Sequence, residues 1–197
     1  YLNDYGKLAA AWDRDKPDIR LAAFNRIITP VNYESFITDL LGVKFVMSLG
    51  PLKSGKLEYI SKEGETYLYA NNKVFPRAFL INKIVMADNA QESIDKMFKL
   101  AGDLRFTAVT DEDININPTP LQSGEEAIIT YYSPNYITLA VNTMTNRLLV
   151  LTDIYYPNWQ VSLDGKSAKM YRVDFAFRGV IVPVGKHKIE FKNNLLL

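Results

Sequence analysis

The stretch Leu148–Phe191, LLVLTDIYYPNWQVSLDGKSAKMYRVDFAFRGVIVPVGKHKIEF, decides the fold. Its apolar residues alternate with polar ones in short runs, and Asp164-Gly165 and Val184-Gly185 punctuate them as turns, the pattern of consecutive antiparallel strands. Working upstream from it, strands are expected at Ala127–Tyr132 and Tyr136–Asn142, and its own first strand at Leu148–Asp153. Within it they are expected at Trp159–Leu163, Ala168–Phe175, Gly179–Val182 and His187–Phe191. Seven short strands with regular turns read as a jelly-roll-like sandwich. Ile137, Leu139 and Val141 share one face, as do Trp159, Val161 and Leu163, with Thr138, Ala140, Gln160 and Ser162 on the other.

Before Phe106 the periods are mixed. Tyr5, Leu8, Ala9 and Trp12 fall at helical spacing and Pro17 ends that run. After an ambiguous stretch, Ile19–Thr29, Asn32 is placed to cap a helix burying Phe36, Ile37, Leu40 and Leu41, with Gly42 as its stop. Val43–Leu49 reads as a buried strand, Lys56–Ala70 as a hairpin around Lys62-Glu63-Gly64, and Phe75–Met86 as one apolar strand. Asn89 as cap, Glu92 three residues on, then Ile94, Met97, Phe98 and Ala101 before Gly102 spell a further helix. The fold class is therefore α+β: a mixed subdomain over 1–105 packed on a mainly antiparallel β-sandwich subdomain over 106–197, within which the polar connection Asp111–Gly124 precedes the run of strands.

Composition narrows the chemistry. The 197 residues are 48% hydrophobic and 23% charged, the balance of a chain that folds in water. Net charge is +1 with no basic concentration, which argues against nucleic-acid binding. With no cysteine and His187 as the one histidine, thiolate sites, disulfides and a histidine-rich zinc site cannot be assembled, and no cofactor or metal is expected. No window reaches the 18 or so apolar residues of a membrane span.

Gly50–Lys56 matches the glycine and lysine spacing of a phosphate-binding loop, but Leu57 stands where a hydroxyl should hold magnesium, and strand-like alternation follows where a helix is needed. Asp111, Glu112 and Asp113 are neighbours in a proline-rich connection and do not hold two carboxylates across a bond, so a solvated turn is expected. His187, between Lys186 and Lys188, has no acidic neighbour in sequence and reads as a surface or half-buried residue. Around Pro157, Trp159 is in phase with Val161 and Leu163 and belongs to the core, leaving Tyr155 and Tyr156 as rings for sugar stacking. Arg172 and Arg178 are the cations for an anionic headgroup, or alternatively structural, with Asp174 as a partner for Arg172 and the same choice open for Arg77.

These residues carry a resemblance. Leu149–Trp159 (LVLTDIYYPNW), Leu163–Lys166, Tyr171-Arg172, Phe175–Val180, Val182–His187 and Glu190-Phe191, preceded in order by Leu40–Val46 and Pro76–Leu80, resemble the C-terminal soluble region of the bacterial membrane protein family YfhO over about Asn32 to Phe191. Asn158 stands where that family has Gly, and Phe45 where it has Tyr. The resemblance implies a polytopic protein similar to glycosyltransferases that use lipid-linked sugars to decorate envelope polymers such as teichoic acids. Catalysis would lie in the membrane-embedded remainder of the chain. This piece would be a noncatalytic domain on the extracytoplasmic face, helping to bind a glycan or glycolipid acceptor through Tyr155, Tyr156, Arg172 and Arg178. Starting at Tyr1 and ending at Leu195–Leu197, the sequence reads as part of a longer protein approaching a last span. A secreted carbohydrate-binding module or hydrolase fragment is the alternative.

Overall fold

A computed structural model describes residues 3–21 and 32–193. The terminal leucines and most of the ambiguous Ile19–Thr29 stretch lie outside those residues. Helix α1 (Asn3–Arg14) and α2 (Phe36–Leu40) precede β1 (Phe45–Ser48), β2 (Leu57–Glu63), β3 (Thr66–Asn71), β4 (Ala78–Leu80) and β5 (Lys83–Met86). Helix α3 (Ala90–Leu100) runs into a 3-10 turn, Ala101–Arg105, and then β6 (Thr107–Thr110). The remaining strands are β7 (Glu126–Ser133), β8 (Tyr136–Thr143), β9 (Arg147–Ile154), β10 (Trp159–Leu163), β11 (Lys166–Ala168), β12 (Tyr171–Val173), β13 (Phe177–Val182) and β14 (Gly185–Asn193).

The α+β class and the sandwich are borne out. One sheet runs β11-β10-β14-β8-β7 and the other β12-β13-β9-β4, every pairing antiparallel. Between them pack Ile137, Leu139, Val141, Leu149, Leu151, Trp159, Val161, Val180, Val182, Ile189 and Phe191. The opposite face of the four-stranded sheet, through Phe79, Leu148, Val150, Val173 and Phe177, meets Leu8, Trp12, Ile37, Leu40, Ile94 and Met97 of the helices. Three layers result, with β9 buried on both sides. Gly179 sits where a Cβ would come within 2.9 Å of Val173 Cγ1, so the close approach of β12 and β13 requires a residue without a side chain. The 105/106 division runs through this arrangement, because β4 pairs with β9 and the helical core draws on both sides of it.

Several local readings change. Ser35, accepting from the Ile37 N–H, caps α2, while the Asn32 carbonyl is taken by Trp12 Nε1 and Thr38 Oγ1. Phe75–Met86 divides at Ile81-Asn82 into β4, which joins the sandwich, and β5, which pairs in parallel with β6 across α3. Ala168–Phe175 also divides, since β11 and β12 belong to different sheets and Asp174 and Phe175 turn with φ of 45° and 70°. β1 is an exposed edge of a separate three-stranded sheet, β1-β3-β2, rather than a buried strand. The α3 cap is as read, Asn89 accepting from Glu92 N–H at 3.0 Å, but Ala101 rather than Gly102 takes the positive φ at its end.

The polar connection 111–124 is tied down by a buried ion pair. Arg147, at the start of β9, donates from Nε to Glu125 Oε1 at 2.8 Å and from its two Nη atoms to the Thr119 and Pro120 carbonyls. Burial alone would raise the Glu125 carboxyl, but hydrogen bonds from Arg147 and from the Gln122 and Met144 N–H groups outweigh it and hold it down at about 2. A carboxyl lowered in the folded state stabilises above its unfolded value near 4.5, and that contribution is lost as pH falls toward 2. Stability should therefore drop between about pH 4.5 and 2, and Glu125→Gln should remove that part of the slope while costing stability at pH 7. Urea melts across this range check it; an unchanged acid slope in the variant contradicts the assignment.

Candidate functional site

The residues singled out in the sequence do not form one surface. Arg172 donates to Asp4 Oδ2 at 3.0 Å and to Asp111 Oδ2 at 2.6 Å, clamping the start of α1 to the end of β6, and it does not pair with Asp174. Arg178 is buried with its guanidinium 3.8 Å from the Trp159 ring centre, donating from Nε to the Ile154 carbonyl. Both charges are thus engaged within the protein. Tyr155 and Tyr156 are half-buried, and Tyr156 packs against the sandwich core. Arg77 pairs with Asp153 at 2.8 Å beneath Tyr132, whose ring it faces at 5.1 Å. His187 finds a partner that its sequence neighbours do not supply: Asp164, 2.7 Å from Nδ1 across the hairpin, which raises the imidazole above its ordinary value.

Asp174 has a different part. It is fully buried; its Oδ1 accepts from Val109 N–H at 2.8 Å and its own N–H donates to the Val109 carbonyl at 2.7 Å, so it docks β6 onto the end of β12. Its Oδ2 has no hydrogen-bond partner. Burial, only partly opposed by the Val109 hydrogen bond, pushes this carboxyl up to about 7.

The surface best shaped to receive a ligand is the outward face of the five-stranded sheet. There Asn135, Tyr136, Gln160, Ser162, Glu190 and Lys192 line an open hollow of about 730 Å³, with Gly165 and Ser167 of the β10–β11 hairpin at one end. Register explains the gathering: Tyr136, Lys192 and Gln160 stand opposite one another on β8, β14 and β10, and Thr138, Glu190 and Ser162 form the next row on the same face. A bulge near Thr130 on β7 shifts the phase, so Tyr131 pairs with Thr138 and brings its ring 6.0 Å from that of Tyr136. Tyr136 Oη donates to Glu190 Oε1, and Lys188 Nζ lies 2.9 Å from the same oxygen. The Tyr136 and Lys188 hydrogen bonds hold the Glu190 carboxyl below its ordinary value. Gln160 and Ser162 were legible in the sequence as the polar phase of β10; Glu190 entered only as a landmark of the resemblance, Tyr136 and Lys192 carried no motif, and the three meet only through pairing of distant strands.

A helix-backed β-sandwich presenting a polar sheet face with an aromatic pair at its margin is the class that fold and groove define. The family model described as bacterial membrane protein YfhO matches residues 102–193, the segment that contains most of the 3-10 turn after α3, β6 and the strands β7 to β14. The resemblance read from the sequence is borne out for that segment, which is similar to the YfhO family. The match does not reach Leu40–Val46 or Pro76–Leu80. No curated protein and no solved structure matches the chain. Among the described residues no helix is long and apolar enough to cross a membrane, and no group of three or more acidic or histidine side chains is placed to hold a metal ion.

The raised Asp174 carboxyl has a measurable consequence opposite in sign to that of Glu125. Between about pH 4 and 7 the folded protein keeps a proton that the unfolded chain releases, so the contribution of Asp174 is fully present below that window and is lost as pH rises through it. The slope is on the order of 1.4 kcal/mol for each pH unit. Asp174→Asn, which retains an acceptor for Val109 N–H and tolerates a positive φ, should flatten that slope and raise the melting temperature at pH 8. Thermal melts of both proteins from pH 4 to 8 decide this; parallel curves contradict it.

Proposed function

We propose that this domain is a noncatalytic, extracytoplasmic part of a YfhO-type membrane protein, and that it assists the membrane-embedded remainder by binding an envelope glycan or glycolipid acceptor. The observation that carries the reading is the outward groove of the five-stranded sheet. Gln160, Ser162, Asn135, Glu190 and Lys192 offer amide, hydroxyl, carboxylate and ammonium groups to sugar hydroxyls, and Tyr131 with Tyr136 offers rings for a pyranose face. The open volume of about 730 Å³ suits two or three sugar units rather than a buried small molecule. The match to a membrane protein family supports attachment to a bilayer-spanning partner in the same chain.

Noncatalytic binding fits the electrostatics better than hydrolysis does. A glycosidase needs a second carboxyl across the bond and an acid with a raised pKa, whereas Glu190 is the one carboxylate lining the groove and its pKa is lowered. The arginines and tyrosines first singled out, Tyr155, Tyr156, Arg172 and Arg178, then serve the scaffold, and the ligand contacts move to Tyr136, Gln160, Ser162, Glu190 and Lys192.

Titration of the labelled domain with N-acetylglucosamine oligosaccharides, followed by amide chemical shifts, tests the proposal. Shifts should concentrate at Tyr136, Gln160, Ser162 and Glu190, and Tyr136→Ala should weaken binding about tenfold, the scale of one lost stacking contact. Absence of shifts with these and with glycolipid headgroups, together with unchanged transferase activity on deleting the domain from the full chain, would replace the binding role with a structural one.

A further inference from the structure

We propose that the β1 edge seats on the surface of an anionic lipid bilayer. Phe45 and Met47 of β1, and Leu49 just beyond its end, are 54%, 75% and 80% exposed, three large apolar side chains at i, i+2 and i+4 along this edge. Single exposed apolar residues are ordinary; an alternating row of three along a strand with one neighbour and its continuation is the kind of patch that marks an interaction surface. Behind it Trp12, Tyr33, Val43 and Leu52 help line a hollow of about 420 Å³ that opens beside the strand.

The charges flanking the row indicate its occupant. Lys44 Nζ lies 5.6 Å from the centre of the Phe45 ring, and among the described residues neither Lys44 nor Lys53 has a carboxylate partner. Lys56, three residues beyond Lys53, contrasts with them: it turns inward and binds Asp39 at 2.8 Å and the Ser35 carbonyl at 2.9 Å. Apolar side chains bordered by free ammonium groups match the two layers of a bilayer interface, acyl boundary and anionic headgroups, each lysine contributing about 1 kcal/mol near such a surface. The match of residues 102–193 to a bacterial membrane protein family supports a bilayer as the occupant. None of the groove residues takes part, so this inference and the glycan reading can fail separately.

Sedimentation of the purified chain with vesicles of phosphatidylglycerol and phosphatidylcholine tests the proposal. Binding should appear with these vesicles, fall at least tenfold with phosphatidylcholine alone or in 0.5 M salt, and fall similarly in Met47→Asp and in the Lys44→Glu, Lys53→Glu double variant. Because these side chains are exposed, thermal melts should confirm that each variant remains folded, and any variant that unfolds is replaced by Leu49→Asp. No sedimentation with anionic vesicles, or equal sedimentation of folded wild type and variants, overturns it. Concentration-dependent dimers abolished by Met47→Asp without vesicle binding overturn it too, and assign the edge to a second copy of the chain.

Discussion

The structure depends on a strand that is apolar on both of its faces. Leu148 and Val150 of β9 point to one side and Leu149 and Leu151 to the other, and all four are fully buried. Such a strand cannot lie at the surface of a two-layer sandwich without exposing half of its side chains, at a cost of roughly 1.5–3 kcal/mol for each one left in water. It has to be the middle layer. The five-stranded sheet covers one face and the helices the other, and β4, drawn from before residue 105, completes the hydrogen bonding along its edge. Gly179 lets β12 approach, and Arg147 anchors the first turn of the strand's neighbouring connection.

Buried charge in this protein fastens loops to that layered frame. Lys56 and Asn71 converge on Asp39 to hold α2 against the three-stranded sheet; Arg147 and Glu125 hold the proline-rich connection; Asp174 joins β6 to β12. Each of these groups has partners from segments far apart in sequence, so none of these pairings can be seen by reading along the chain. Lys56 is the clearest case. The lysine of the apparent phosphate loop points into the protein, and the loop simply connects β1 to β2.

What could be read from the sequence followed from local rules. The α3 cap, the β2–β3 hairpin and the alternation of β8 and β10 rest on contacts within a few residues, and they stand in the structure as read. The misplaced features depend on sheet membership. Phe75–Met86 is continuous in hydropathy but contributes to two sheets, Ala168–Phe175 crosses between them, and β1 is apolar without being covered. The groove was half visible, since Gln160 and Ser162 lie on the polar phase, yet its aromatic member and its charges arrive through β8 and β14. An aromatic corner around Pro157 drew attention because it is contiguous, while Tyr131 and Tyr136 become neighbours only through a bulge and a turn.

The central claim is that β9 makes one cooperative unit of the helical layer and the sandwich. The two tryptophans report on it separately, Trp12 in the helix-facing core and Trp159 between the sheets. Urea unfolding of the single-tryptophan variants Trp12→Phe and Trp159→Phe, each followed by the remaining fluorophore and by far-ultraviolet circular dichroism, measures it directly. The account predicts that within each variant fluorescence and circular dichroism coincide in one transition, with the same m-value in both. A sandwich signal that persists after the helical core has melted, seen as separated transitions, would contradict it.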